Sequence, residues 1–301
     1  MISDSCSVVL PELVHPSPRA NRIWAEGSMK GMIALSVVVL LAPAVPAAGQ
    51  TREFRQSVAF QPGGELVFDT DKGSVTLTSW DRPEVAVSAR IEADEKEDAN
   101  YARRVVEAAR IEITGGAQRL SIRSNFDNVP EKVGRWNYRQ LPHIHYQIQA
   151  PRSLTLRLSA DRSRVSLQSF SGRFYVQTDR SPLDARDLSG DVQIKMDRGE
   201  VRLDALRGSL DLNTDRTNSR IVAFAIEGDS RLEISRGKVE LSVPGTQRLS
   251  VSARTGRRTA FSSEFPLGTR GVNDRIEGPI NGGGPRLSVD GDRSDVRLRR
   301  Q

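Results

Sequence analysis

The chain is short of the residues from which most reactive sites are built. It has one cysteine, Cys6, and three histidines in 301 residues. Cys6 falls in a stretch that reads as a leader, so the exported part has no disulfide and no thiol chemistry. Aromatic residues make up 5% of the chain, which leaves few platforms for stacking. Lysine is scarce as well: six of the 44 basic residues, the rest being arginine. No apolar run reaches the roughly 20 residues that a membrane-spanning helix needs. There is no G-x-S-x-G, and no glycine-rich loop feeds a helix. "NGGGP" (281–285) runs instead into the strand-like "RLSVD", so no helix N-terminus follows to cradle a phosphate. No enzyme signature stands out, and the reading is non-enzymatic, with no cofactor and no metal.

The first part of the chain has targeting character. Met29-Lys30-Gly31 precedes an apolar run from Ile33 to Ala42 and a small-residue exit at Ala47-Ala48-Gly49. That order describes a secretory signal peptide cut near Gly49, with an uncleaved anchor as the alternative. Residues 1–28 are aperiodic and hold three prolines. They point to a true translation start at Met29, or else to an unusually long leader. No cysteine follows the apolar run, which argues against a lipid anchor. The expected organisation is a leader over 1–49 and one β-repeat domain over 50–301. The domain would be exported to the periplasm, cell surface or extracellular space, with no stable transmembrane segment after cleavage. The net charge of +6 stays with this domain, because acids and bases cancel in the leader. Export and interleaved acids set nucleic acid aside. A basic exterior suits anionic envelope polymers.

What is abundant is repetition. Asp-Arg recurs at 161, 179, 197 and 215, and Gly172, Gly190 and Gly208 keep the same step of 18. At that step Leu156, Phe174, Val192 and Leu210 form one column, and Leu158, Val176, Ile194 and Leu212 the next. Val165, Leu183 and Val201 form another beyond the Asp-Arg turn. Polar residues separate these columns, and apolar positions two apart mark strands with one face buried. Each unit therefore reads as strand–turn–strand–turn. A meander of antiparallel hairpins has no reason to keep a fixed step, whereas coils stacked like on like do. The expected fold is all-β: a single-domain, β-solenoid-like stack of two-strand coils of about 18 residues. The pattern loosens beyond it, at Ser235-Arg236-Gly237 after a step of 20, and "GVNDRIEGPINGGGP" (271–285) reads as a loop. "ADEKEDANYARRVVEAAR" (93–110) breaks the β pattern. Glu97, Tyr101 and Val105 share a helical face, and Asp94 or Asp98 is placed to cap it. One short inserted helix, about 95–109, is expected over an open end or edge of the sheets.

"GGELVFDTDKGSVTLTSWDRPEVAVSARIEA" (63–93) resembles the opening of the bacterial DUF4097 family of adhesin-like envelope proteins. Gly63-Gly64, Asp71 through Leu77, and Trp80-Asp81 through Val87 carry the likeness. The later "SGDVQIKMDRGEVRLDAL" resembles that family's repeats. The resemblance covers most of 58–300 and loosens over 115–150. It implies a β-repeat envelope protein and brings no catalytic residues.

Two features are candidates for more than folding. The stacked acids of the Asp-Arg turns invite Ca²⁺ binding or sugar-cleaving chemistry, but each is followed by an arginine, and turn formation is the simpler reading. The segment "RWNYRQLPHIHY" gathers scarce aromatics with cations. Arg135, Trp136, Tyr138, Arg139, His143, His145 and Tyr146 are the candidate surface for a glycan or a partner protein, with a hydrophobic cap as the alternative. His143 and His145 share a strand face, a spacing that also suits a metal, but no third ligand is apparent. The functional expectation is a non-catalytic envelope scaffold or adhesin-like surface for extended or repetitive partners, envelope polysaccharide or envelope protein. The alternatives are a β-helix enzyme acting on acidic polysaccharide and a sensory module docking through 131–148.

Overall fold

The step of 18 is the offset between hydrogen-bonded neighbours. The computed structural model describes residues 51–132, 138–256, 258–267 and 275–301; the expected leader over 1–49 lies outside them. Ser153–Asp161 pairs in parallel with 171–179, with Leu156 opposite Phe174 and Leu158 opposite Val176. Residues 171–179 pair onward with 189–197, with Phe174 opposite Val192 and Val176 opposite Ile194. Like columns stack on like, and neighbouring strands run the same way, as in a solenoid.

Each coil builds two walls. Strand Ser163–Asp179 bends near Ser169 (φ 64°) and Gly172 (φ 132°). Its second half belongs to the first wall, and residues 163–168 join the second wall beside 73–78. Strand Leu183–Val222 follows the same path for 40 residues. The inner faces close on one core. Val165, Leu167, Phe170, Phe174 and Val176 are buried, while Arg164, Gln168, Arg173 and Gln177 alternate outward. Phe68 of the first wall meets Tyr146 of the second edge-on, with 4.9 Å between ring centroids. Burying each such side chain contributes about 1.5–3 kcal/mol. Ordering eighteen residues costs about 1–2 kcal/mol apiece, so one coil cannot stand without its neighbours.

The corners are conformationally demanding. Arg162, Arg180, Arg198, Arg216, Arg236 and Arg293 all have φ between 48° and 60°, the left-handed region that costs a non-glycine residue about 1–2 kcal/mol. At the opposite bend Gly172, Gly190 and Gly208 stack directly. A Cβ on Gly190 would lie 2.0 Å from the carbonyl oxygen of Gly172. Only glycine permits that approach.

Chain order holds from 153 to 222 and breaks at both ends. Strand Ser230–Val243 pairs with Arg286–Arg300, whose far side carries Leu249–Thr255 and Ala260–Ser263. The last strand is thus wedged between earlier ones. At the other end Glu65–Thr70 lies between Ser153–Asp161 and Arg119–Asn125. Antiparallel strands then end the step: Arg110–Gly115, Arg275–Ile280, and Glu84–Glu92 with Thr51–Ala59. Arg275–Ile280 corrects the loop expected over 271–285. Ile276 and Ile280 alternate with polar neighbours, and the segment pairs with Leu249–Thr255, which the glycines and prolines around it obscure.

The helix spans Ala99–Ala108. Asp98 caps it by accepting the Tyr101 N–H at 2.9 Å. At its other end Arg52 donates to the carbonyls of Glu107, at 3.2 Å, and of Ala109. Tyr101, Val105 and Val106 enter the core, so the helix covers the N-terminal end of the stack and is pinned to the edge strand Thr51–Ala59.

Gly190→Ala is expected to lower unfolding free energy by at least about 3 kcal/mol. Gly116→Ala, where a Cβ meets open space, should change it by less than about 0.5 kcal/mol. Urea denaturation of both variants decides; equal stabilities would contradict the glycine stack.

Candidate binding surface

The ladder of acids is occupied by its own arginines. Arg180 lies 3.1 Å from Asp161 and 3.0 Å from Asp179. Arg198 reaches Asp179 at 3.6 Å and Asp197 at 3.1 Å, and Arg216 reaches Asp197 at 3.8 Å and Asp215 at 3.1 Å. Arg236 continues to Asp215 at 2.6 Å. At Arg180, Arg198 and Arg216 the left-handed corner aims the guanidinium across its own aspartate and that of the preceding coil. Individually such exposed pairs contribute little, up to about 1 kcal/mol. Together they neutralise the edge, and a divalent cation would have to displace an arginine at each rung. Lys72 is the exception, turning away to Asp94, at 3.0 Å, and to the Leu141 carbonyl. Asp71 beside it keeps its proton more readily than an ordinary aspartate, from burial first and then from the nearby Asp69 and Asp161 carboxylates.

Of the residues expected to form a surface at 135–146, Arg135 and Trp136 lie outside the described residues. Tyr138–Arg139 is a two-residue strand pairing with Glu131–Lys132. His143 and His145 share the outer face of His143–Pro151, their rings stacked 6.1 Å apart and 7° from parallel. Tyr146 is a correction. It is 1% exposed, and its hydroxyl bonds Ser124 Oγ at 2.7 Å inside the core. With 143 and 145 outward, the two-residue period turns 146 inward.

The histidines instead join a network that the sequence did not reveal. His145 Nδ1 is 2.8 Å from Ser74 Oγ, and Nε2 is 3.0 Å from Glu92 Oε1. The carboxylate only accepts, so in neutral His145 the proton sits on Nε2 and the Ser74 hydroxyl donates to Nδ1. This has the order of a serine–imidazole–carboxylate relay. Ser74, however, sits mid-sheet between His145 and Arg164, where the surrounding main-chain amides are spent in the ladder. An oxyanion there would find no pair of backbone donors. His143 faces Asp94 at 3.5 Å. Hydrogen bonds from Lys72 and Gln140 hold the Asp94 carboxyl down to about 2, while burial and then Lys72 lower the His143 pKa. Among the described residues, no group of three or more potential ligands is placed to hold a metal ion.

A broad concave surface on the first wall lies elsewhere. Parallel register aligns Val67, Arg157, Tyr175 and Gln193 in one outward column, and Asp69, Ser159, Gln177 and Lys195 in the next. With Asp211, Asn213, Arg231 and Glu233 these columns line an open groove of about 630 Å³ running across the coils. Arg157 bonds Glu65 at 2.6 Å and lies 4.4 Å over the Tyr175 ring. Ser159, Gln177, Gln193, Lys195 and Asp211 have no side-chain partner among the described residues. Sequence reading missed this grouping, although Tyr175, an aromatic at an outward position of the repeat, was its available signal.

No protein-family model and no curated protein matches this chain. Among solved structures it is similar to a candidate cell adhesion protein from Clostridium sporogenes, at 8% identity over 83% of this chain and 100% of that one, TM-score 0.31. A candidate adhesin from Bacteroides fragilis matches at 10% identity over 82% and 97%, TM-score 0.37. A candidate lipid-binding protein from Parabacteroides distasonis matches at 11% identity over 82% and 96%, TM-score 0.39.

Asp94 gives a pH prediction. Its carboxyl titrates at about 2 in the folded chain, against about 3.9 when unfolded. The stability it contributes is complete above the unfolded value and is lost as pH falls through the folded one. Asp94→Asn should therefore flatten the fall in melting temperature between about pH 4 and pH 2. An unchanged acid limb would refute the assigned role of Lys72 and Gln140.

Proposed function

We propose that this protein is a non-catalytic, adhesin-like binding module of the bacterial cell envelope, exported by the leader over 1–49 and acting through the domain 50–301. The motifs at Gly63-Gly64, Asp71–Leu77 and Trp80–Val87 support membership of the DUF4097 family. The partner is an extended envelope polymer, and the basic balance of the chain, +6 overall, favours acidic polysaccharide.

One observation carries the reading. The Asp-Arg corner charges are paired within the fold, whereas the first-wall groove presents Ser159, Gln177, Gln193, Lys195 and Asp211 free, beside the stacked Arg157–Tyr175 pair. Successive coils rise about 4.8 Å, so the groove offers a chain-like ligand similar contacts at regular intervals. Many weak contacts then sum to useful avidity. A basic chain of net charge +6 adds long-range attraction for anionic polymer, which salt screens.

The test is retention on immobilised acidic polysaccharides, with hyaluronan and alginate as probes. Arg157→Ala combined with Lys195→Ala should weaken retention about tenfold, as should raising salt from about 0.05 to 0.5 M. Absence of retention on every polymer would overturn the proposal, and release of shortened polymer would make the protein an enzyme.

A further inference from the structure

The second wall carries a different surface at its N-terminal end. Register aligns Ser57, Ala86, Gln149 and Thr78 in one row across four strands, and Arg55, Ser88, Gln147 and Thr76 in the next. These eight residues line an open depression of about 660 Å³. In a chain that is 27% charged, Arg55 is the one charge among them, and it leans toward Glu53 at 4.0 Å. The neutrality is local. Following the same rows across the wall, Thr76 leads to Ser166 and then Asp184, and Thr78 to Gln168 and then Arg186.

We infer that this depression is a second binding site, separate from the first-wall groove, for an uncharged polyhydroxylated ligand: a segment of neutral glycan. Ser57, Thr76, Thr78, Ser88, Gln147 and Gln149 have no side-chain partner among the described residues. Each hydroxyl both donates and accepts, and each amide offers two donors and a carbonyl oxygen, the pairing that vicinal sugar hydroxyls require. The side chains stand about 4.8 Å apart across strands and about 7 Å apart along them, a grid on the scale of a sugar ring. Ala86, between Ser57 and Gln149, leaves a low apolar floor for the C–H face of a ring.

The same features exclude other ligands. A carboxylate or phosphate group would find only Arg55 to answer its charge, and desolvating an unanswered charge is costly. A protein partner needs an apolar or aromatic anchor at the centre of its contact, and Ala86 is too small to serve. With no aromatic platform, the affinity for a short oligosaccharide is weak, and strength comes from repeated presentation on a polymer.

Saturation-transfer NMR on the whole protein with maltohexaose, cellohexaose and chitohexaose as probes tests this. At least one should bind, and Gln147→Ala with Gln149→Ala should weaken it about tenfold. Both side chains are on the outer face, so an unchanged melting temperature certifies the fold. Binding should persist at about 0.5 M salt and in Arg157→Ala with Lys195→Ala. No transfer to any probe, survival of binding in the glutamine variant, or loss in the Arg157 variant would each overturn the site. Retention on acidic polymer should be untouched by the glutamine changes, so this site and the first-wall groove can fail independently.

Discussion

The contact on which everything else rests is the approach of one coil's backbone to the next. At the glycine corner that approach leaves no room for a methyl group: the place where a Gly190 Cβ would stand is already filled by the carbonyl oxygen of Gly172. The glycine stack, repeated at Gly208, fixes the rise and the lateral position of each coil. Once those are fixed, the parallel ladder has only one register in which inward columns stay inward, because a one-residue slip would turn every core side chain to water. Phe174 over Val192 and Val176 over Ile194 follow from that constraint and reinforce it.

The charged corner is the counterpart of the glycine corner. An arginine in the left-handed region is unfavourable by itself, yet arginine occupies it at six corners of the stack, from Arg162 to Arg293. What the conformation provides is direction. The guanidinium spans its own aspartate and the one below, so the repeated Asp-Arg dipeptide becomes an alternating seam of opposite charge. Lys72 shows what happens when the pattern lapses. Its ammonium is drawn to Asp94 and away from the seam, and it joins the end of the stack to the segment leading into the helix. The Asp-Arg corners of the seam are thereby occupied structurally, and at the Asp71 corner, which Lys72 leaves, the acid is without a cation of its own turn.

Much of this was legible in the sequence, for a physical reason. In a stack, lateral neighbours sit a constant number of residues apart, so periodicity reports tertiary contact directly. The step of 18 and the inward columns could be read that way, while the helix follows from its own period, which leaves both Asp94 and Asp98 as candidates for the cap that Asp98 supplies. The ends could not, because there the neighbours are distant in sequence. Nothing local tells Arg286–Arg300 to lie between Ser230–Val243 and Leu249–Thr255. The surface around 135–146 went astray differently. Grouping residues by scarcity put Tyr146 beside His143 and His145, whereas the two-residue alternation already assigned it to the core. The Ser74–His145–Glu92 network joins strands 71 and 53 residues apart in sequence, and no local pattern encodes such a pairing.

Function in such a lattice is confined to positions the fold leaves free. Inward residues must pack, corner residues must bend and pair, and only the outward columns can change without disturbing register. Variation there is therefore informative in a way that variation elsewhere is not. Along the first wall one outward column passes from Val67 through Arg157 and Tyr175 to Gln193, placing an aromatic and an amide where charge would suffice for solubility. Along the second wall the change runs the other way. Charged rows give way to hydroxyls and amides over the four strands nearest the N-terminal end. Neither departure improves packing, because neither side-chain set reaches the core. Solubility alone would favour keeping the charges. What both departures do provide is hydrogen-bonding capacity held at fixed spacing by a backbone that cannot slip, and a rigid array of that kind binds a repeating ligand without first having to be ordered.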